Sequence, residues 1–284
     1  MFCRPCMIDL HMHSSVSDGT DTPEQLLQNV IAAGIGVFSV TDHDAVKGAQ
    51  TVSGLIRDNS PVFIPGAEFS CRDEKGRYHI LGYGFDPESA PILDLVDFGH
   101  ALRMRKIKAR LDFVISEFGF EFTDEEKEWL FSLDNPGKPH IGNLMIKHGY
   151  AESIKDAIDN YIDKLHIKDK HLKPEDAIAG IIAGGGVPVL AHPFYGGGDD
   201  LILGDEMEER LKRLKEAGLM GIEAYYSGFT AKLQKTAAVL AERYDLYTTA
   251  GSDYHGTNKL VKLGDTGLNG TVPERLKSFI GLFA

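Results

Sequence analysis

The stretch MIDLHMHSSVSDGTDTPEQL, Met7 to Leu26, ends an apolar run in two histidines one residue apart, crosses polar chain and then carries the start signals of a helix. Thr22 fits an N-cap, Pro23 the first helical turn, Gln25 the capping-box position and Gly34 a stop, so a helix is predicted directly after the loop. Run, loop and helix make one βα unit. Residues two apart in a strand share a face, so His11 and His13 can share one ion. An isolated H-x-H is also a common accident in a chain with eleven histidines. Two partly exposed histidines at a strand end need no metal, so the rest of the chain has to decide.

Six further β-rich runs follow: GVFSVT, PVFIPGAEFS, YHILGYG, VPVLAHP, MGIEAYY and YTTAGSD, separated mostly by amphipathic segments. That alternation predicts βα units around a parallel sheet, an α/β fold. Residues 89–173 break the rhythm, with helical patterns such as DLVDFGHALRMRKIKARLDFVISEFG and the punctuation NPGKPH and KPED. They are read as a helical insertion. Residues 7–88 and 174–284 then form the main unit.

Bulk composition limits the function classes. With 43% hydrophobic and 25% charged residues, the chain reads as an ordinary soluble globular protein. No apolar run approaches the roughly 20 residues of a membrane span. A formal net charge of −12 argues against extended nucleic-acid binding but leaves room for a phosphorylated small molecule where bound cations reverse the local sign. Cys3, Cys6 and Cys71 cannot build a disulfide framework, which fits a reducing cytoplasm. Cys3 and Cys6 form a C-x-x-C ahead of the first strand, where a redox or zinc role is not expected. MFCRPC is too short and polar for a secretory segment, and Met7 is an alternative start. No obligate protein partner is indicated.

The chemistry lies in where the polar groups fall. TDHD (Thr41–Asp44) follows GVFSV, GAEFS around Glu68 follows VFIP, AHP around His192 follows VPVL, and GSDYH (Gly251–His255) follows YTTA. In a βα barrel the carboxyl ends of the strands converge on one face, where such folds place their sites. One polar strand end means little; five point to a common site. Six histidines, His11, His13, His43, His79, His192 and His255, lie at or beside the β runs, and the other five all fall in the insertion. Imidazoles mixed with carboxylates and without cysteine suit Zn, Mn or Fe at adjacent positions. Such ions would leave the centre net positive and attract an anion.

The ordered set HMHSSVSDG, TDHD, GAEFS with His79, AHP and GSDYH resembles the polymerase and histidinol phosphatase (PHP) superfamily of metal-dependent phosphoesterases. GKPHIGNLMIKHGY resembles the insertion of its small stand-alone bacterial members, which act on nucleoside bisphosphates, short oligonucleotides or ribosyl cyclic phosphates. The resemblance implies a distorted (β/α)7 TIM-like barrel with a trinuclear site. By the family pattern, His11, His13, Glu68 and Asp253 hold one ion, Glu68 bridges to a second held also by His79 and His192, and Asp18, His43 and His255 hold a third. Two to three divalent ions (Mn, Fe or Zn) are expected. The nucleophile implied is a hydroxide between two ions, held by Glu68, Asp253 and His192. No side-chain nucleophile is expected, and Ser14 and Ser70 are read as supporting or loop residues.

Substrate contacts are expected from the insertion, at Lys138 and His140 of GKPHIG and at Arg105, although a solvated helical face is the plainer reading of Arg103, Arg105 and Arg110. Relatives acting on nucleoside bisphosphates carry an arginine after AHP. Here the chain reads AHPFYGGGDD, which favours a smaller sugar cyclic phosphate. The alternatives are a 5′-3′ exonuclease on short oligonucleotides, a C–N hydrolase of amidohydrolase type, since those also open on H-x-H, and a non-catalytic metal-binding module, which the complete ligand set argues against.

Overall fold

The computed structural model describes residues 7–167, 170–196 and 201–283. The first part runs β1 (Met7–Asp9), α1 (Pro23–Ala33), β2 (Ile35–Phe38), α2 (Lys47–Leu55) and β3 (Val62–Phe63), and its strands form a parallel sheet in the order β1-β2-β3. Helix α1 starts and stops as the sequence predicts. Thr22 Oγ1 accepts from the Gln25 N–H, Gln25 Oε1 accepts from the Thr22 N–H, and Gly34 closes the helix at φ +72°.

A second sheet has the order β4-β5-β6-β7-β8, built from β4 (Gly66–Asp73), β5 (Gly76–Tyr83), β6 (Val187–Leu190), β7 (Gly221–Tyr226) and β8 (Tyr247–Gly251). The expectation of an all-parallel arrangement fails here. Strands β4 and β5 form an antiparallel hairpin with Asp73 paired to Gly76, and β5 is antiparallel to β6; only β6-β7 and β7-β8 are parallel. Two residues between Asp73 and Gly76 cannot hold the crossover that a parallel pair requires. PVFIPGAEFS, read as one run, is two strands with Ile64 and Pro65 between them. Proline has no N–H to give to a ladder.

Hydrogen bonds join the two sheets at both seams. At one, the Leu10 N–H donates to Ala250 O (2.8 Å), the Asp253 N–H to His11 O (2.8 Å) and the His13 N–H to Tyr254 O (2.9 Å). At the other, the Asp44 N–H donates to Glu68 O (2.9 Å) and the Glu68 N–H to Asp42 O (3.2 Å). One apolar cluster lies between the sheets. It takes Ile8, Leu10, Val37 and Ile64 from the first part and Leu81, Tyr83, Val189, Ala191 and Ala250 from the second, closed below by Leu276, Phe279 and Ile280. Full burial of each large side chain contributes about 1.5–3 kcal/mol. Helices α7 (Pro174–Ala183), α8 (Gly204–Glu216) and α9 (Ala231–Arg243) pack outside, and α10 (Glu274–Ile280) contacts β8. No helix among the described residues is long and apolar enough to cross a membrane.

Between β5 and α7 lie α3 (Ala90–Phe118), α4 (Asp124–Ser132), α5 (Lys138–Lys147) and α6 (Ile154–Asn160). They carry an apolar cluster of their own, including Ile107, Leu111, Val114, Phe122, Leu130, Ile141 and Met145. Glu126 ties two of these helices together. Its carboxylate accepts from Lys147 Nζ (2.7 Å) and the Thr123 N–H (3.0 Å) and meets His148 Nε2 at 2.8 Å. These partners, Lys147 first, hold the carboxyl down at about 2, below its ordinary 4.5. A carboxyl depressed by folding adds stability above pH 4.5 that fades as pH falls toward about 2. Glu126→Gln is therefore expected to lower the urea midpoint at neutral pH, with a deficit that shrinks as the medium is acidified through this window. A deficit that stays constant would show that the charge of Glu126 does not join α4 to α5.

Candidate metal centre

The extended chain beyond β1 carries His11 and His13, and Asp42 shapes the loop that follows. Asp42 is buried and accepts from the Ser14 N–H (2.8 Å), Ser14 Oγ (2.7 Å) and Ser17 Oγ (2.7 Å). The loop thereby turns Asp18 back toward His13. Asp9 is held in the same manner by the N–H groups of Ser252 (2.9 Å) and Gly264 (2.8 Å), and burial pushes its carboxyl up to about 6. His43 follows β2, Glu68 and His79 sit on the β4-β5 hairpin, His192 follows β6, and Asp253 and His255 follow β8.

All nine residues converge around Glu68. Glu68 Oε2 lies 3.3 Å from His11 Nε2, 3.2 Å from His13 Nε2 and 3.0 Å from His43 Nδ1. Its other oxygen, Oε1, lies 2.8 Å from His79 Nδ1 and 3.2 Å from His192 Nε2. Asp253 Oδ1 is 3.4 Å from His13 Nε2 and 3.7 Å from His11 Nε2. Asp18 Oδ1 is 3.3 Å from His255 Nε2 and 3.8 Å from His13 Nδ1, and Asp18 Oδ2 is 4.0 Å from His43 Nε2. Three overlapping sets, His13-Asp18-His43-His255, His11-His13-Asp253 and His43-Glu68-His79, each present donor atoms within 4.8 Å of one another. His13 and His43 thus each belong to two sets, a sharing that the sequence pattern did not show.

The electrostatics suit a cation site. Burial would raise the Glu68 carboxyl, but His79, His11 and His43 outweigh it and hold it well below its ordinary range. Asp253 and Asp18 are depressed likewise against burial, Asp253 by Lys259 and His255, Asp18 by His255 and His43. Burial would lower His11, yet Glu68, Glu223 and Asp253 raise it well above its ordinary value, while His43 is driven well below by burial. His11 Nε2, His13 Nε2, His43 Nδ1 and Asp18 Oδ1 are buried without a hydrogen-bond partner. Buried polar atoms are normally paired, and imidazole nitrogens and carboxylate oxygens facing one point are the donors that Zn, Mn or Fe prefer. The residues fit divalent ions.

Backbone strain concentrates here. Among the described residues, four that are not glycine have positive φ, and three of them, Asp44 (+49°), His192 (+27°) and Asp253 (+58°), border the cluster.

Several residues that the sequence did not single out support the site. Glu223, buried on β7, meets His11 Nδ1 at 2.9 Å and accepts from the His192 N–H at 2.7 Å. Tyr226 OH (2.8 Å) and Lys259 Nζ (2.6 Å) both donate to Asp253 Oδ2, leaving Oδ1 toward the histidines. Asn135 Nδ2 donates to His43 O. The available signal for Glu223 and Asp9 was a lone carboxylate inside an apolar run, GIEAYY and MIDLHM, which is costly to bury unless partnered.

The predicted substrate contacts fall differently. Lys138 Nζ is engaged by Asp163 at 2.6 Å. His140 is buried and accepts from the Gly137 N–H through Nδ1 (2.9 Å). Arg105 is exposed. The solvated-face reading is corrected for its neighbours: Arg103 Nη2 donates to Asp44 Oδ2 (2.7 Å) and Ser70 Oγ (3.2 Å), and partly buried Arg110 is lowered by burial to about 10. Gly99 lets α3 come this close, since a Cβ there would lie 2.6 Å from Asp44 Cβ. Cys3 and Cys6 lie outside the described residues, and Cys71 is a buried free thiol.

Known proteins resemble this chain over most of its length. A phosphoribosyl 1,2-cyclic phosphate 1,2-diphosphodiesterase of Eggerthella lenta is 33% identical over 257 residues, covering 87% of this chain and 94% of that protein. A 3′,5′-nucleoside bisphosphate phosphatase of Chromobacterium violaceum is 28% identical over 256 residues, covering 87% of each chain. The crystal structure of a candidate metal-dependent phosphoesterase from Bifidobacterium adolescentis superposes with a TM-score of 0.81 at 26% identity, over 93% of this chain and 92% of that one. The family profile of the PHP domain matches residues 9–173, more than half of the sequence. With that match and a relative one-third identical across most of its length, the chain belongs to the PHP family.

Proposed function

We propose that this protein is a metal-dependent hydrolase of phosphoric ester bonds that acts on a small phosphorylated metabolite and releases inorganic phosphate. The observation that carries the reading is that buried atoms of His11, His13, His43 and Asp18 have no hydrogen bond and crowd, with the other ligand candidates, about a carboxylate that five imidazoles approach. His11, His13, Glu68 and Asp253, then Glu68, His79 and His192, then Asp18, His43 and His255 would hold two to three divalent ions. Such ions, when bound, act as Lewis acids toward phosphoryl oxygens and bring the pKa of water toward about 7.

This chain's own side chains do the positioning. Glu68 presents a separate oxygen to each group of histidines, so one carboxylate can serve two ions. Tyr226 and Lys259 restrict Asp253 to one outward oxygen. His140, whose Nδ1 lone pair is taken by the Gly137 N–H, carries its proton on Nε2 when neutral and can donate to a phosphate or ribose oxygen. Lys138 can exchange Asp163 for a substrate anion. We read the two joined sheets as the arcs of a distorted (β/α)7 barrel, supported by the seam hydrogen bonds, and residues 89–173 as an insertion that supplies selectivity, supported by its separate apolar cluster. A ribosyl cyclic phosphate is the first substrate reading and a nucleoside 3′,5′-bisphosphate the second. The first rests on the missing arginine after His192 and on the Eggerthella relative. Buried free Cys71 supports work in a reducing cytoplasm.

Protein loaded with manganese, iron or zinc should hydrolyse at least one of the phosphate esters phosphoribosyl cyclic phosphate, adenosine 3′,5′-bisphosphate, histidinol phosphate and a short oligoribonucleotide, assayed beside an amide substrate. Activity confined to the amide would overturn the phosphoester reading. Glu68→Ala and His192→Ala should each cost several kcal/mol of transition-state stabilisation, more than about 100-fold in kcat/KM. Wild-type rates in either variant would place the chemistry elsewhere.

Lys138→Met should act on substrate capture rather than on the bond-breaking step. Loss of one hydrogen bond to a charged group predicts a rise in KM of about tenfold or more with kcat nearly unchanged. Steady-state kinetics on the best panel substrate measures this, and an unchanged KM removes Lys138 from the binding site.

A further inference from the structure

Glu223 sits in the middle of β7, fully buried, in the run Gly221–Tyr226. Both of its oxygens are used, and both reach residues of the candidate metal centre. Oε1 lies 2.9 Å from His11 Nδ1, and Oε2 accepts from the His192 N–H at 2.7 Å. Gly251 packs against the pair, where a Cβ would run into His11 Cβ and Glu223 Oε1. No other residue could sit there without displacing the imidazole or the carboxylate.

We infer that Glu223 is a positioning residue that sets two candidate metal ligands at once; the inference rests on the metal-centre reading above. A carboxylate beside Nδ1 keeps the proton of a neutral imidazole on that nitrogen, so Nε2 offers its lone pair. His11 Nε2 is the atom that faces Glu68 Oε2 and Asp253 Oδ1. The other oxygen pins the backbone of His192 at φ +27°, the conformation from which His192 Nε2 comes within 3.2 Å of Glu68 Oε1. Asp18, His43 and His255 are placed by other elements: the Asp42 loop, the chain after β2 and the chain after β8. Glu223 therefore governs the two ions on the Glu68 side and not the third.

Glutamine separates this from a merely structural role. The His192 N–H is a fixed donor, so the amide oxygen of Glu223→Gln has to face it. The amide NH2 is then left against His11 Nδ1, which has to accept. The proton moves to Nε2, and the nitrogen aimed at Glu68 and Asp253 loses its lone pair. Glu223→Gln thus keeps the volume and the His192 contact but turns the His11 ring chemistry inside out. Glu223→Ala releases both residues.

The test uses the full chain equilibrated with buffered free zinc, with bound zinc counted by elemental analysis and the thermal midpoint recorded alongside. Weakening at the affected positions should be about 10–100-fold, the usual cost of losing a partner of a metal-bound histidine. Glu223→Gln should weaken one ion and Glu223→Ala two, with the remaining zinc held as in wild type. Nitrogen-15 NMR of the histidine rings in the zinc-loaded wild type should show a protected Nδ1–H that disappears in His11→Asn. Zinc affinity unchanged in Glu223→Gln, uniform weakening of all ions in it, or a His11 proton on Nε2 in the zinc-loaded wild type would each overturn the inference, the last without any variant having to fold. A wild type that binds neither zinc, manganese nor iron would instead overturn the metal-centre reading.

Discussion

A carboxylate buried where five imidazoles approach it is the constraint on which this molecule is built. An ionised Glu68 taken out of water would cost several kcal/mol if left alone. Its partners come from four separate places: the chain after β1, the chain after β2, strand β5 and the chain after β6. No local stretch of sequence can assemble that set. The same residue's backbone closes one seam, through Asp42 O and the Asp44 N–H, so the charge and the sheet junction depend on each other. Shifting β4 by one residue would turn Glu68 to the opposite face and remove the counter-charges at the same stroke.

The left-handed residues follow from that demand. His192 and Asp253 lie just past the ends of β6 and β8, where the chain has to leave the strand and still aim a side chain inward. Positive φ at a non-glycine residue costs about 1–3 kcal/mol and persists only where the surroundings over-determine it. Here the Glu223 carboxylate holds the His192 N–H, while Tyr226 and Lys259 hold Asp253. Strain at the centre is offset by hydrogen bonds one layer out.

Much of this was legible in the sequence, and the illegible part has a physical pattern. Strand ends and the capping box of α1 could be read because each depends on local spacing, whereas the nine candidate ligands could be proposed only from their joint placement at strand ends and from the family resemblance, since a single His or Glu has many uses without a metal. The β4-β5 hairpin was misread because apolar runs announce strands but not their direction; the turn after Asp73 carried that information. Arg103 was misread because helix periodicity gives a face, not what the face meets, and Asp44 is 59 residues away in sequence. Glu223 and Asp9 went unnoticed because a single acid in an apolar run looks like an exception to a pattern rather than a feature. Burial makes such an acid informative, since it has to be partnered.

The two halves of the centre are supported by different parts of the chain. The Glu68 side is braced by β7 through Glu223. The Asp18 side is braced by the helices between β5 and α7: Asn135 binds His43 O, Asn143 meets Asn258 at 3.2 Å, and Asn258 in turn binds Asp18 O at 2.8 Å. Arg103 adds a tie from α3 to Asp44, next to His43. A chain segment that both borders the centre and contacts its ligands is not free to vary as a surface loop is. Asn135 holds the His43 carbonyl and Arg103 holds the Asp44 carboxylate beside it, so both sit one contact away from a candidate ligand. A change at Asn135 or Arg103 therefore reaches the Asp18 set through His43 and its neighbour, whereas the hydrogen bond of Lys138 goes to Asp163 and leaves that set untouched.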